Sequence, residues 1–368
     1  MKKVVPSIIV IIFIGIGISI GRLSVSLKFR NYIRHFSKSE VLGRLLDKDE
    51  EELVAKAYKN TAPEDLQNIS YAIPNVPSPF VGNAPTPGKH DSAFVNSSQF
   101  RSFEEVVVPK PANVYRIFLV GGSTAFSSAA PSDKTTIAAY LENLLNKNFS
   151  SSGKKFEVIT AANPAWSSTH ERVFIENKLS ELEPDMVIAF SGVNDVHWGA
   201  EGKNILWFRT FADDFYFDII KMAYQTAGIN PPADVTDTNE VPVPPSIVAK
   251  RLLKNTKISN FILGQNGIKY LFFLQPNLAV TKKELNNWEK ECLSDEKEYF
   301  VECFKKIDAN LKNYKDKNFS YFNLSDMFDK LPASEALFVD SYHFGDKGNE
   351  MIAEKIFEKI KKICHRDS

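Results

Sequence analysis

Tyr115-Arg-Ile-Phe-Leu-Val120, followed by Gly121-Gly122-Ser123-Thr124, is the stretch from which the fold can be read. A short, almost uncharged apolar run that stops at a glycine pair reads as a buried strand. A helical pattern follows it through Ile137, Tyr140, Leu141, Leu144 and Leu145. The same rhythm recurs downstream. Phe156 to Thr160, Met186 to Phe190, Ile268 to Leu274 and Tyr321 to Leu324 are further strand candidates. Helical patterns lie at Glu171 to Leu182 and Met351 to Ile363. Strands alternating with helices predict a parallel sheet covered by helices on both faces.

The sequence on either side of this core is different. Val4 to Gly21 reads VVPSIIVIIFIGIGISIG, 18 residues without a charge. As a helix it would span about 27 Å, close to the thickness of a bilayer core. Residues 1–30 are therefore expected to be a transmembrane signal anchor; a cleaved signal peptide is the competing reading. An exported chain begins this way, so an extracytoplasmic body is expected. The flanking charges argue the other way: Arg22, Lys28, Arg30, Arg34 and Lys38 follow the run, against Lys2 and Lys3 before it. Residues 31–62 have a helical pattern with Leu42, Leu45, Leu46, Leu53 and Ala57 on one face, which suggests a juxtamembrane helix or stalk. Eight prolines between Pro63 and Pro111 predict an irregular connector up to residue 113. The α/β domain is expected over 114–368, with an insertion at about 197–260 that is rich in aromatics and then in prolines.

Composition excludes several classes. The chain has 368 residues, with Lys+Arg and Asp+Glu equal at 45 each. Zero net charge argues against a dedicated nucleic-acid binder. Three cysteines cannot make a disulfide scaffold. Cys292 and Cys303 can pair outside the cytoplasm or stay reduced inside it. His170 and His197 show no metal-ligand spacing and read as loop or pocket residues; no cofactor is implied.

In an open parallel sheet, ligands bind beyond the C-terminal ends of the strands. The first candidate strand is followed by Gly121-Gly122-Ser123-Thr124, where the turn exposes a serine hydroxyl. The second is followed by Ala161-Ala162-Asn163-Pro164-Ala165-Trp166-Ser167, a loop of small residues able to offer a backbone N–H. The third is followed by Ser191-Gly192-Val193-Asn194-Asp195. Before the last helix stands Asp340-Ser341-Tyr342-His343, in which the aspartate can orient the imidazole and leave one nitrogen as a base. Each piece alone has a plainer reading, as a helix cap, a loop amide or a capping turn.

In this order the pieces resemble the SGNH hydrolase superfamily, also called GDSL-type esterases, over about residues 90–362. His90 to Asn96, Phe100-Arg101 and Lys110-Pro111 look like the lead-in of bacterial membrane-anchored members, and Leu274-Gln275-Pro276-Asn277 like the family's later strand. The resemblance implies a flavodoxin-like three-layer α/β/α sandwich with a mostly parallel sheet, here preceded by an N-terminal transmembrane helix. It also implies roles: Ser123 as nucleophile, His343 as general base, Asp340 as its orienting acid. The oxyanion would be held by the Ser123 and Ala165 backbone N–H groups and the Asn194 amide. Two departures stand out. Gly122 replaces the family's usual aspartate before the serine, and Ala162 and Ala165 replace the usual glycines of the second block. Alanine at 165 keeps its N–H, but fits poorly if that residue needs a positive φ.

The aromatic insertion has two readings. Trp198, Trp207 and Tyr216 line a cleft, or the segment packs on the sheet edge or the membrane surface. Trp166 and Trp198 are the candidate substrate contacts. The expected function is a membrane-anchored serine esterase acting on O-acyl esters, O-acetyl among them, of a small molecule or glycan. An O-acetyltransferase on an envelope glycan and a decayed scaffold or binding component of envelope assembly are the alternatives.

Overall fold

The computed structural model describes residues 13–21, 23–24, 27, 30–31, 38–203, 211–231 and 241–367. Its centre is a five-stranded sheet. The strands are β1 (Val114–Gly121), β2 (Lys155–Thr160), β3 (Met186–Ser191), β4 (Lys269–Leu274) and β5 (Phe319–Asn323), in the order β2-β1-β3-β4-β5, and every neighbouring pair is parallel. All five coincide with the apolar runs expected as strands. All eight residues of β1 are buried, as a central strand covered on both faces requires.

Successive side chains of a strand point to opposite faces, so the sheet feeds two cores. Ile117, Leu119, Ile188, Phe190, Leu271 and Phe273 pack on one side with Leu141 and Leu145 and with Ile352, Ile356 and Ile360. Those partners lie on α2 (Ile137–Asn148) and α7 (Asp346–Asp367), short helix α1 being Ser123–Phe126. Phe118, Val120, Val187, Ala189, Phe272 and Leu274 pack on the other side with Phe174, Ile175, Val248, Leu252, Phe300, Phe304 and Ile307. These belong to α3 (Ser168–Asn177), α5 (Pro245–Gln265) and α6 (Lys297–Asn313), with α4 (Val193–Ala200) following β3. The result is a three-layer α/β/α sandwich of flavodoxin-like strand order. That order places a crevice between β1 and β3, where the chain leaves in opposite directions.

Several expectations need correction. The stretch 31–62 is not one stalk helix. The regular helix within 38–62 is Lys48–Ala55, opened by a capping box in which Asp47 accepts from Glu50 N and Glu50 accepts from Asp47 N. Leu42, Val54, Ala57, Tyr58, Leu66 and Ile69 pack with Ala129, Trp288 and Val339 in a third core, and Lys59 N donates to Asp346 at 2.9 Å. The proline-rich stretch contains short antiparallel pairs, Asn75–Ser78 with Gly82–Pro85 and Gly88–His90 with Ala93–Val95. Residues 40–95 thus form a cap seated on the α/β body, not a spacer. The insertion is also shorter than expected, because 245–260 form most of α5, a regular helix on the sheet. Trp207 lies outside the described residues, as does the side chain of Tyr216.

Residues 13–21 are helical, with Phe13, Ile14, Ile16, Ile18 and Ile20 exposed. The first twelve residues of the expected anchor lie outside the described residues. Among the described residues, no helix is long and apolar enough to cross a membrane. Cys292 and Cys303 are free thiols, half-buried and buried.

Candidate active site

The loops leaving β1, β2 and β3 and the turn before α7 meet at one cavity of about 750 Å³. Ser123, Ala165, Asn194, Trp198 and His343 all line it, so four separate stretches of sequence converge as expected.

Gly121 and Gly122 make the serine turn possible. Gly121 has φ +154°, and a Cβ there would lie 2.4 Å from the Phe190 carbonyl of the neighbouring strand. A Cβ on Gly122 would lie 2.1 Å from Asn194 Nδ2 and 3.0 Å from the Trp166 carbonyl. The side chain missing at 122 is thus the space that the Asn194 amide fills. That amide donates to Trp166 O at 2.7 Å, which uses one of its two hydrogens and fixes its orientation. Ser123 then opens α1, where the first N–H groups of a helix have no partner within it.

Ala165 has φ +68°, in the left-handed region that glycine tolerates. The loop has kept the glycine conformation without the glycine. The cost is of the order of 1–2 kcal/mol for an L-residue. Asn163 holds the loop from beneath through Asn75 and Asn83, both at 2.8 Å, and Trp198 Nε1 donates to Ala165 O at 3.1 Å.

His343 is fixed from one side. Its Nδ1 lies 2.7 Å from Asp340 Oδ2, while Asp340 Oδ1 accepts from the Tyr342 and His343 N–H groups, each at 2.8 Å. Burial works to raise the Asp340 pKa, but the neighbouring His343 and these hydrogen bonds outweigh it and hold it at about 2. The carboxylate is therefore charged throughout the neutral range. Nε2 of His343 is buried without a hydrogen-bond partner among the described residues, and His343 lines the same cavity as Ser123. An imidazole held in this way has one nitrogen available to take a proton.

Trp166 does not line the cavity. It is 1% exposed, its indole N–H donates to Asn83 O at 3.2 Å, and Phe174 packs edge-on against it. Its contribution is its carbonyl, which holds Asn194. Trp198 does line the cavity, beside His197, whose pKa burial lowers. Sequence reasoning missed Tyr71, Tyr342 and the strip Lys38–Val41 with Arg44 and Leu45, all of which also form its walls. Nothing in a lone tyrosine amid prolines distinguishes it from its neighbours.

Beneath the site two buried carboxylates are neighbours. Asp195 accepts from Ser168 N at 2.9 Å and Ser168 Oγ at 2.5 Å, and Glu171 accepts from Ser191 Oγ at 2.5 Å. Burial lifts the Asp195 pKa to about 6 despite these bonds. Burial, then the Asp195 charge, lifts Glu171 to about 8. This pair underpins the β3 turn and lies outside the cavity lining.

Residues 117–356 match the family described as GDSL-like Lipase/Acylhydrolase. No curated protein matches the chain. Among solved structures, the acetyl xylan esterase AlAXEase is 18% identical, with a TM-score of 0.38 over 67% of this chain and 99% of that one. A variant of Axe2, an acetyl-xylooligosaccharide esterase from Geobacillus, is 12% identical, with a TM-score of 0.43 over 67% and 94%. The lipase Lip_vut3 from a goat rumen metagenome is 10% identical, with a TM-score of 0.40 over 66% and 95%.

Proposed function

The chain belongs to the GDSL-like lipase and acylhydrolase family and is an ester hydrolase, and on that premise we propose that it cleaves O-acyl esters through an acyl-serine intermediate on Ser123. The observation that carries this reading is His343, whose Nδ1 is tied to Asp340 while Nε2 is buried and, among the described residues, unpartnered, on a residue that lines the cavity with Ser123.

As Ser123 Oγ attacks the acyl carbonyl, its proton passes to His343 Nε2. Negative charge collects on the carbonyl oxygen. The Ser123 and Ala165 N–H groups and the remaining Asn194 N–H stabilise it there, and each such donor is worth roughly 2.7–4 kcal/mol in a comparable protease case. Collapse expels the alcohol, which takes the proton from His343. Water then attacks the acyl-serine with His343 again as base, releasing the carboxylic acid and restoring Ser123.

The proposed substrate is an O-acetylated or otherwise O-acylated glycan or small molecule. Tyr71, Trp198 and Tyr342 offer aromatic walls that suit a sugar face, on a cavity roomy enough for more than the acyl group. The proposed setting is a membrane, with the 18 uncharged residues from Val4 to Gly21 as anchor and the hydrolase domain on the extracytoplasmic side. Reporter fusions at the C-terminus test the orientation; activity confined to a cytoplasmic reporter reverses it.

The experiment on mechanism uses the full-length chain in detergent. A fluorophosphonate should label Ser123, and Ser123→Ala and His343→Ala should each lose at least about 10³-fold in turnover of an aryl acetate. Wild-type turnover in either variant refutes the assignment.

A further inference from the structure

Tyr71 belongs to the N-terminal cap, 269 residues away from Asp340 in sequence, yet its hydroxyl donates to Asp340 Oδ2 at 2.8 Å. That oxygen is the one that holds His343 Nδ1. The same hydroxyl lies 3.4 Å from Nδ1 itself, and the two rings meet edge-on with centroids 5.1 Å apart. We propose that Tyr71 is a positioning residue of the Asp340–His343 pair, brought in by the cap to set the direction and strength of the carboxylate–imidazole hydrogen bond. The inference rests on the serine-esterase reading above and adds to it a residue from outside the α/β body.

Three observations support this. First, the placement is built. Tyr71 sits on the short strand Ser70–Ala72, which pairs antiparallel with Glu40–Val41. Ser70 is anchored in turn, its N–H to Ser92 Oγ at 2.9 Å and its hydroxyl to His90 O at 2.6 Å. Second, the hydroxyl is a donor in this setting. Burial, and then Asp340, raise the Tyr71 pKa, so the phenol stays protonated where the enzyme would work. Third, Asp340 has little freedom left. Oδ1 is taken by two backbone N–H groups, so Oδ2 is shared between Tyr71 and His343. A donor on a shared oxygen draws charge from it and limits its swing.

The consequence for acidity has a definite sign. Removing the hydroxyl leaves more negative charge facing the imidazole, which favours the imidazolium and moves the acid limb of kcat/KM to higher pH. Tyr58, Cys292 and Tyr342 feel Asp340, and burial raises the pKa of all three; Glu40 acts on Tyr71 from the paired strand.

Tyr71→Phe keeps the ring and its packing and deletes only the hydroxyl. In the full-length chain, with kcat expressed per fluorophosphonate-titrated site so that misfolded protein does not count, kcat for an aryl acetate should fall about ten-fold with KM within about two-fold. The acid limb should rise by roughly 0.3–1 pH unit. In an Asp340→Asn background the same substitution should change kcat by less than about two-fold, because the residue acts through that carboxylate. Wild-type kcat in Tyr71→Phe, a loss confined to KM, or an equal loss in the Asp340→Asn background overturns the inference. Full activity in Ser123→Ala instead overturns the reading on which it rests, so the two failures are distinguishable.

Discussion

Substitution of Gly122 by alanine tests the oxyanion geometry with a single methyl group. The Cβ would fall 2.1 Å from Asn194 Nδ2 and 3.0 Å from Trp166 O. Non-bonded heavy atoms of this kind rest at about 3.5 Å, so the amide must retreat by more than about 1 Å. It is the far end of a side chain and can do so without dragging the backbone. Stability should therefore change little. The 2.7 Å bond to Trp166 O is lost, at about 1 kcal/mol, and the stiffer unfolded chain returns roughly 0.4–1 kcal/mol. Catalysis should suffer far more. A catalytic group misplaced by about 1 Å costs about 10²-fold, and complete loss of an oxyanion donor about 10²–10³-fold. The expected result is a fall in kcat/KM for an aryl acetate of about 100-fold or more, with urea unfolding within about 1 kcal/mol of wild type. Asn194→Ala should show a similar loss, and the double variant should be no worse than the poorer single, since both remove one donor. A Gly122→Ala enzyme within about three-fold of wild type would refute the assignment of Asn194 as an oxyanion donor.

Ala165→Gly should do the opposite at the neighbouring loop. It relieves a φ of +68° and should stabilise the protein by about 0.5–1 kcal/mol in urea unfolding, net of glycine's greater freedom when unfolded. Destabilisation would mean that the loop is not strained there. The Glu171–Asp195 pair predicts a stability that falls with pH. A carboxyl with its folded pKa lifted to about 8 stabilises fully below its unfolded value near 4.5, and that contribution disappears as pH rises through 8. Stability should be about 2–3 kcal/mol lower at pH 8 than at pH 6, and Glu171→Gln should flatten most of that slope; a flat profile in the wild type would show that the carboxyl is already ionised.

The parts of the fold legible in the sequence are those where local pattern and final environment agree. The five strands are apolar runs ended by turn residues, and burial on both faces requires such runs. Ser123, Asn194, Asp340 and His343 were legible because their order along the chain is distinctive even though each motif is ordinary. The cap was not legible. Its strands are two to four residues long and its hydrophobic contacts reach to Trp288 and Val339, so no periodicity betrays them. High proline content argued for an irregular connector, whereas here it accompanies short hairpins. From its loop Trp166 reads as a substrate contact, but whether a loop tryptophan faces inward depends on what lies beneath, here Phe174 and Asn83 O. Ala165 shows the reverse case. The substitution was visible, and only the backbone angle could show that the loop holds it in glycine's conformation.

The cap also sets an order of events during synthesis. Leu42, Val54, Ala57 and Tyr58 emerge early, but their partners Trp288 and Val339 are made more than 200 residues later. The Lys59 contact waits for Asp346, a separation of 287 residues. Contacts this distant in sequence are slow to form and leave apolar surface uncovered on the nascent chain. The same arrangement means that an incomplete chain lacks Asp340 and His343 and leaves Tyr71 without its acceptor. On the proposed mechanism, hydrolytic competence arrives only when nearly the whole polypeptide has been made, and a truncation from the C-terminus that removes α7 and its preceding turn is expected to yield an inert, aggregation-prone fragment.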